Sequence, residues 1–266
     1  MKIIALPAFS DNYIWMLHNE QEALVIDPGM AAPVIDALKH LHLELTAILV
    51  THHHSDHTGG IDELRPYLKG HNKNNIFGPA KETIPQPFQP LSSSTSLKLL
   101  GLHIQILDVP GHTAGHIAYY IPSQTMADGT VFESSLFPGD TLFSAGCGRL
   151  FEGTPAQLLA SLDQLAALPA QTNVYSAHEY TLSNLRFAQA VEPDNSAIQT
   201  YTAQCETRRA RNQPTLPTTI AQELEINPFL RSRKETVIES IQSKNPTAKD
   251  EVTLFATLRS WKDNFK

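Results

Sequence analysis

Positions 51–60 read Thr-His-His-His-Ser-Asp-His-Thr-Gly-Gly, so four histidines and one aspartate fall within residues 52–57, directly after the apolar run Ala47-Ile48-Leu49-Val50. A fold that accepts this segment must end a buried strand in a turn open enough to gather several imidazoles. No core needs imidazole at that density, because every buried neutral ring still requires a hydrogen-bond partner. Imidazole nitrogen together with carboxylate oxygen is instead the donor set that a borderline-soft divalent cation selects. An extended segment has a side-chain period of two, so His52 and His54 project to one side and His53 to the other. Asp56 and His57 follow after a turn and aim at a second point. One ion with four local ligands is possible, but two adjacent ions fit the stagger better. A surface histidine cluster or a purification tag is the competing explanation. A tag belongs at a terminus and has no reason to follow a buried strand or to leave through Gly59-Gly60.

The chain has 266 residues, 41% of them hydrophobic and 18% charged, with a formal net charge of −7. That length suits one large or two ordinary domains. The acidic balance argues against a nucleic-acid partner, whose phosphates are held by clustered Lys and Arg. The start, Met1-Lys2-Ile3-Ile4-Ala5-Leu6-Pro7-Ala8, is too short and too early broken by proline for a secretory apolar region. No window approaches the ~20 apolar residues of a membrane helix. Cys147 and Cys205 stand far apart without a Cys-x-x-Cys pair, so neither a disulfide framework nor a thiolate zinc site is encoded. A cytoplasmic protein working as a monomer, with no membrane partner, is the expectation.

Up to about residue 176, short strands alternate with turns and helices. Strands are expected at 13–17, 23–26, 47–50, 75–77, 103–108, 117–121 and 173–176. Helical periodicity covers 32–43, and a helix over 155–168 opens with Thr154 as N-cap and Pro155 in the first turn. From about 181 strand signals vanish. Helix-like segments at 182–191, 196–212, 219–225, 232–243 and 248–261 are separated by prolines at 193, 214, 217, 228 and 246. The class is therefore α/β or α+β, with a boundary near 177–181. Ser92 to Ser96 reads as a loop, and no internal repeat is present.

Three further segments end expected strands in turns bearing histidine or aspartate: Pro110-Gly111-His112-Thr113-Ala114-Gly115-His116, Pro138-Gly139-Asp140, and Ala177-His178-Glu179-Tyr180. Singly, each has an ordinary structural explanation as a turn or a helix cap. Together with the cluster they supply seven donors, which divide into two sets of three plus Asp140.

These residues carry a family resemblance. Thr-His-x-His-x-Asp-His at 51–57, Gly-His-Thr-x-Gly-His at 111–116, Gly-Asp-Thr-Leu-Phe at 139–143 and Ala-His-Glu-Tyr-Thr at 177–181 resemble the metallo-β-lactamase superfamily. Within it, the last two motifs, Gly146-Cys147-Gly148-Arg149, Phe151-Glu152-Gly153-Thr154 and Leu258-Arg259-Ser260-Trp261-Lys262-Asp263 resemble the hydroxyacylglutathione hydrolases, also called glyoxalase II. The match begins at Ala8-Phe9-Ser10-Asp11-Asn12-Tyr13 and reaches Phe265.

The resemblance implies an α+β fold: a metallo-β-lactamase-type αβ/βα four-layer sandwich at 1–178, followed by a smaller all-α C-terminal domain at 179–266 that serves the glutathione pocket. It implies two divalent metal ions per chain, zinc first with iron or manganese as alternatives. His52, His54 and His112 would hold one ion and Asp56, His57 and His178 the other, with Asp140 and a hydroxide bridging them. The implied reaction is hydrolysis of S-D-lactoylglutathione to D-lactate and glutathione, the second step of methylglyoxal detoxification. The bridging hydroxide attacks the thioester, and Asp56 orients it and accepts its proton. The small-molecule glutathione thioester would be gripped by Arg149, Tyr180, Arg259 and Lys262. His53 and His116 are not ligands in this scheme, although His116 can orient one. Cys147 is expected to be a packing residue.

Two departures from the pattern stand out. Arg149 and Phe151 occupy positions where some relatives carry Lys and Tyr, so a phenol hydroxyl is missing. The stretch Ser123 to Leu136 reads as a polar surface loop extension. The alternative activity is a mononuclear-iron glutathione-persulfide dioxygenase of the same superfamily, which would leave Asp56, His57 and His178 unused. RNA processing is disfavoured by charge, β-lactamase activity by the C-terminal segment, and a purely structural zinc site by the scarcity of cysteine.

Overall fold

The strands nearest the N-terminus are apolar on both faces. In the computed structural model, which describes residues 1–265, Asn12–His18 is buried at all seven positions and Glu44–Leu49 at all but the first. Continuous burial of this kind marks strands covered on both faces and explains why their sequences do not alternate. Position 266, the end of the expected helical domain, lies outside the described residues.

The described chain divides into two units, one made of residues 1–108 and 114–139, the other of 109–113 and 140 onward. The units do not follow the composition change near 177–181, because the second also takes in the Gly-His-Thr turn and everything after Gly139.

In the first unit a six-stranded sheet runs in sequence order: Lys2–Ala8, Asn12–His18, Glu22–Ile26, Glu44–Leu49, Ile76–Pro79 and Gln89–Leu91. The first three strands are antiparallel and the rest are added in parallel. The crossover helix Ala31–Leu41 buries Ala31, Val34 and Leu38 and stops at His42, whose left-handed backbone turns its N–H onto the carbonyls of Leu38 and Lys39. The core beneath it gathers Ile14, Met16, Val25, Val34, Ile48 and Val50. A second group of antiparallel strands comprises Ser96–Leu99, Leu102–Asp108, Ile117–Ile121 and Ser135–Phe137. Here alternation is visible: Leu102, Ile104 and Ile106 are buried, while His103 and Gln105 are exposed. The buried Tyr119 hydroxyl donates to the Val50 carbonyl at 2.7 Å and accepts from the Val50 N–H at 3.2 Å. Burial raises that phenol well above its usual range and keeps it neutral.

The second unit is mainly helical: Pro155–Ala166, Thr181–Val191, Ser196–Ala210, Ile220–Ile226, Glu235–Lys244 and Glu251–Asp263. Prolines 193, 214, 217, 228 and 246 all fall between helices, as residues without an N–H should. Thr154 and Gln157 form a reciprocal capping box, and Asn195, Thr219 and Asp250 cap three other helices. Phe187, Phe229 and Phe255 form a buried aromatic cluster.

Two expectations require correction. Residues 123–136 are not simply a surface loop: Gln124–Thr125 pairs with Val131–Phe132 as a hairpin, and Ser135 and Leu136 are buried and paired with Ile121 and Tyr120. Polar composition hid a short return strand. Strand structure also continues past 181, since Thr218–Thr219 pairs with Asn173–Val174. Two-residue strands are too brief to leave a periodic signal.

Candidate metal centre and its flanking cavity

In the first unit, the chain leaves the strand Glu44–Leu49, extends through Thr51 to His54 and enters the single-turn helix Ser55–Thr58. His52 and His57 are buried, with His52 Nε2 3.0 Å from His54 Nδ1 and the rings of His52 and His57 4.1 Å apart. His57 Nε2 lies 3.4 Å from Asp56 Oδ2. Two donors that each sit about 2.0–2.1 Å from one tetrahedral zinc lie roughly 3.3 Å apart, so these spacings suit donors turned toward common cations.

His57 Nδ1 lies 3.1 Å from Asp27 Oδ2. That carboxylate also receives the Thr51 backbone N–H and hydroxyl, both at 2.7 Å. The Asp27 carboxylate thus places negative charge beside Nδ1, the ring nitrogen not facing Asp56. Asn12 Nδ2 donates to Asp56 Oδ2 at 3.0 Å. His116 stacks on His52 with centroids 4.6 Å apart. His53 is turned away: its backbone N–H and ring Nδ1 meet Glu82 at 2.6 and 3.0 Å.

In the second unit, Asp140 offers its two oxygens to different histidines, Oδ2 at 3.4 Å from His112 Nε2 and Oδ1 at 3.3 Å from His178 Nε2. Both distances match two donors of one ion better than a short hydrogen bond. His112 Nδ1–H is committed to the Arg149 carbonyl at 2.9 Å, which leaves Nε2 for a ligand. Gly148 makes this approach possible: a Cβ there would fall 2.0 Å from the Asp140 carbonyl and 3.0 Å from His112 Nδ1. His178 stacks on Tyr180, centroids 4.6 Å apart and rings 8° from parallel.

The same unit holds a cavity of about 510 Å³ whose walls include His112, Asp140, Phe143, Cys147, Arg149, Phe151, Tyr180, Arg259 and Lys262. All four residues expected to grip glutathione line it, but they are not equivalent. Arg149 is exposed, 3.9 Å from Asp263. Arg259 is only 4% exposed; it donates to the Cys147 carbonyl at 2.9 Å and to Asp263 at 3.0 Å, and lies over the Phe229 ring. Lys262 Nζ donates to the Ser183 carbonyl at 3.2 Å. Burial, reinforced by the charges of Arg259 and Arg186, lowers its ammonium to about 8. The Cys147 thiol is buried and pushed up to about 11, so it is no thiolate nucleophile. Phe151 stands 63% exposed, its ring 5.2 Å from that of His112 and steeply inclined to it.

The hairpin carrying Phe143 and Cys147 is fixed from behind. Buried Glu223 accepts from Ala145 N–H at 2.7 Å and from the Ser144 hydroxyl at 3.0 Å, and Asn227 Nδ2 donates to the carbonyls of Phe143 and Gly146. Asp27 and Glu223 escape a motif reading of the sequence, and Asn12 enters it only within the match at Ala8 to Tyr13, without a role. Asp27 leaves a local signal, an Asp-Pro-Gly turn directly after the buried run Ala23 to Ile26.

Comparison with known proteins places these features. Residues 179–265 match the family model for the hydroxyacylglutathione hydrolase C-terminus, and residues 8–72 match that of the metallo-beta-lactamase superfamily. The hydroxyacylglutathione hydrolase of Albidiferax ferrireducens is 56% identical over 265 residues, and that of Cupriavidus taiwanensis 52% over 271, each covering 100% of both chains. The crystal structure of ETHE1 from Myxococcus xanthus superposes with a TM-score of 0.63 at 23% identity, covering 100% of both chains, a likeness of fold. The fold is thus the metallo-β-lactamase type with a helical C-terminal region, and the chain belongs to the hydroxyacylglutathione hydrolase family.

Proposed function

We propose that this protein hydrolyses S-(2-hydroxyacyl)glutathione thioesters, with S-D-lactoylglutathione giving D-lactate and glutathione. The observation that carries the chemistry is Asp140, whose two oxygens each face a different histidine at 3.3–3.4 Å, as a carboxylate shared by two cations should. Full-length relatives named hydroxyacylglutathione hydrolase support the substrate class.

The donor set fits divalent metal: nitrogen and carboxylate ligands, with His112 held in the ligating tautomer by the Arg149 carbonyl and with His57, His178 and Asp140 buried. His52, His54 and His112 are proposed for one ion, Asp56, His57 and His178 for the other, and Asp140 for both, with zinc favoured over iron or manganese. Such ions supply Lewis acidity toward the thioester carbonyl and acidify water. The remaining work falls to the chain. Asp56 orients the attacking water and accepts its proton. Arg149 and Lys262 meet the glutathione carboxylates, and Tyr180 walls the peptide. Arg259 holds the Cys147 carbonyl and adds positive charge from beneath. Residues 1–178 form the proposed catalytic part and 179–266 the glutathione-binding part.

The test is steady-state hydrolysis of S-D-lactoylglutathione, run beside oxygen uptake with glutathione persulfide. Thioester cleavage without oxygen uptake is expected. Oxygen uptake without thioester cleavage establishes the dioxygenase instead.

A further inference from the structure

We propose that Phe9 is a specificity residue for the acyl group, contacting the substituent on the carbon next to the thioester carbonyl; this rests on the hydrolase reading above. Strands Lys2–Ala8 and Asn12–His18 pair out to Ala8 and Asn12, leaving Phe9, Ser10 and Asp11 as the connection. Phe9 adopts φ +51°, a left-handed conformation that favours glycine and strains a bulky side chain. Its ring is nevertheless 56% exposed. A strained position thus presents an apolar ring to solvent, a combination that burial in the core does not account for.

The turn is tied at one end to Asp56 and at the other to the Gly29-Met30 turn. At one end, Asn12 Nδ2 donates to Asp56 Oδ2 at 3.0 Å. At the other, the Phe9 N–H points to Met30 Sδ at 3.4 Å, and the ring edge packs at Gly29. A Cβ on Gly29 would lie 2.9 Å from Phe9 Cε2 and 1.8 Å from the Asp56 carbonyl oxygen, so a single bare glycine separates the phenyl edge from the Asp56 backbone. Ser10 cannot offer the same contact, since its hydroxyl bonds Asp11. The result is an apolar surface beside a proposed ligand whose carboxylate meets the polar groups of Asn12 and His57. A 2-hydroxyacyl thioester presents the matching chemistry: a polar carbonyl and hydroxyl, and a single variable substituent that is hydrogen, alkyl or aryl.

The experiment compares wild type, Phe9→Ala and Phe9→Leu on S-glycoloyl-, S-lactoyl- and S-mandeloylglutathione. A methyl in a closed pocket discriminates by roughly 10-fold or more, and a half-exposed wall supplies part of that. The lactoyl-to-glycoloyl ratio of kcat/KM should therefore fall about 3- to 10-fold in Phe9→Ala, and the mandeloyl-to-glycoloyl ratio further. Phe9→Leu should keep most of the lactoyl preference and lose the mandeloyl preference, which carries the test if the alanine variant does not fold. Calorimetric binding of S-(2-hydroxypropyl)- against S-(2-hydroxyethyl)glutathione, neither hydrolysable, should show the same narrowing of ratios. Unchanged ratios in both variants overturn the proposal. Failure of the hydrolase reading looks different: wild type then cleaves none of the three thioesters.

Discussion

Lys262 permits a prediction whose size follows from its surroundings. Its ammonium is lowered to about 8, first by burial and then by Arg259 and Arg186. The charged fraction in the free enzyme should then fall from about nine-tenths at pH 7 to about one-tenth at pH 9. If the ammonium holds a glutathione carboxylate, kcat/KM should fall about tenfold over that interval through KM, with kcat little changed. Other groups, including the substrate amine, titrate nearby, so the decisive quantity is the wild-type profile divided by that of Lys262→Arg, whose guanidinium stays charged throughout. Steady-state kinetics from pH 6.5 to 9.5 with S-D-lactoylglutathione should give a ratio that declines above about 8. A ratio flat across the range would refute the role. The stability consequence has the opposite sense: between about 8 and the ordinary 10.5 the unfolded chain binds the proton that the native chain refuses, so this group makes stability rise with pH across that window.

The buried Glu223 gives a stability test. Glu223→Ala strips the buried Ala145 N–H of its acceptor and should cost about 2–3 kcal/mol in urea unfolding, while Glu223→Gln, which keeps one acceptor oxygen, should cost less. Burial raises the Glu223 carboxyl to about 7, so the native state holds a proton that the unfolded state releases above 4.5. Its contribution should make stability fall as pH rises from 4.5 to 7 and level off above, a slope absent in Glu223→Gln. Cys147→Ala should leave kcat within about twofold, because a thiol held near 11 is not a nucleophile at neutral pH; loss of turnover with the fold intact would contradict this.

Much of the architecture could be read from sequence because its determinants are local. The helix Pro155–Ala166 announces itself through Thr154, Pro155 and Gln157, and the C-terminal helices through prolines that lie only in the gaps. The proposed ligands were legible because histidine and aspartate are costly to place at strand ends without a use for them. The residues that orient them were not. Asp27 reaches His57 across 30 positions and Asn12 reaches Asp56 across 44, contacts that exist only once neighbouring strands have paired. Arg259 shows the same limit: the family resemblance names it beside Lys262, but its burial and its hydrogen bond to the Cys147 carbonyl exist only in the folded chain. The hairpin at 124–132 was hidden because short polar strands carry no hydrophobic period.

The most direct test of the account is a metal titration with activity as the readout. Protein stripped by chelation should cleave no S-D-lactoylglutathione, and activity should return on adding zinc with a break at two equivalents per chain. Asp140→Asn should lose that break. Full turnover by stripped protein, or a break at one equivalent, would contradict a pair of ions sharing Asp140.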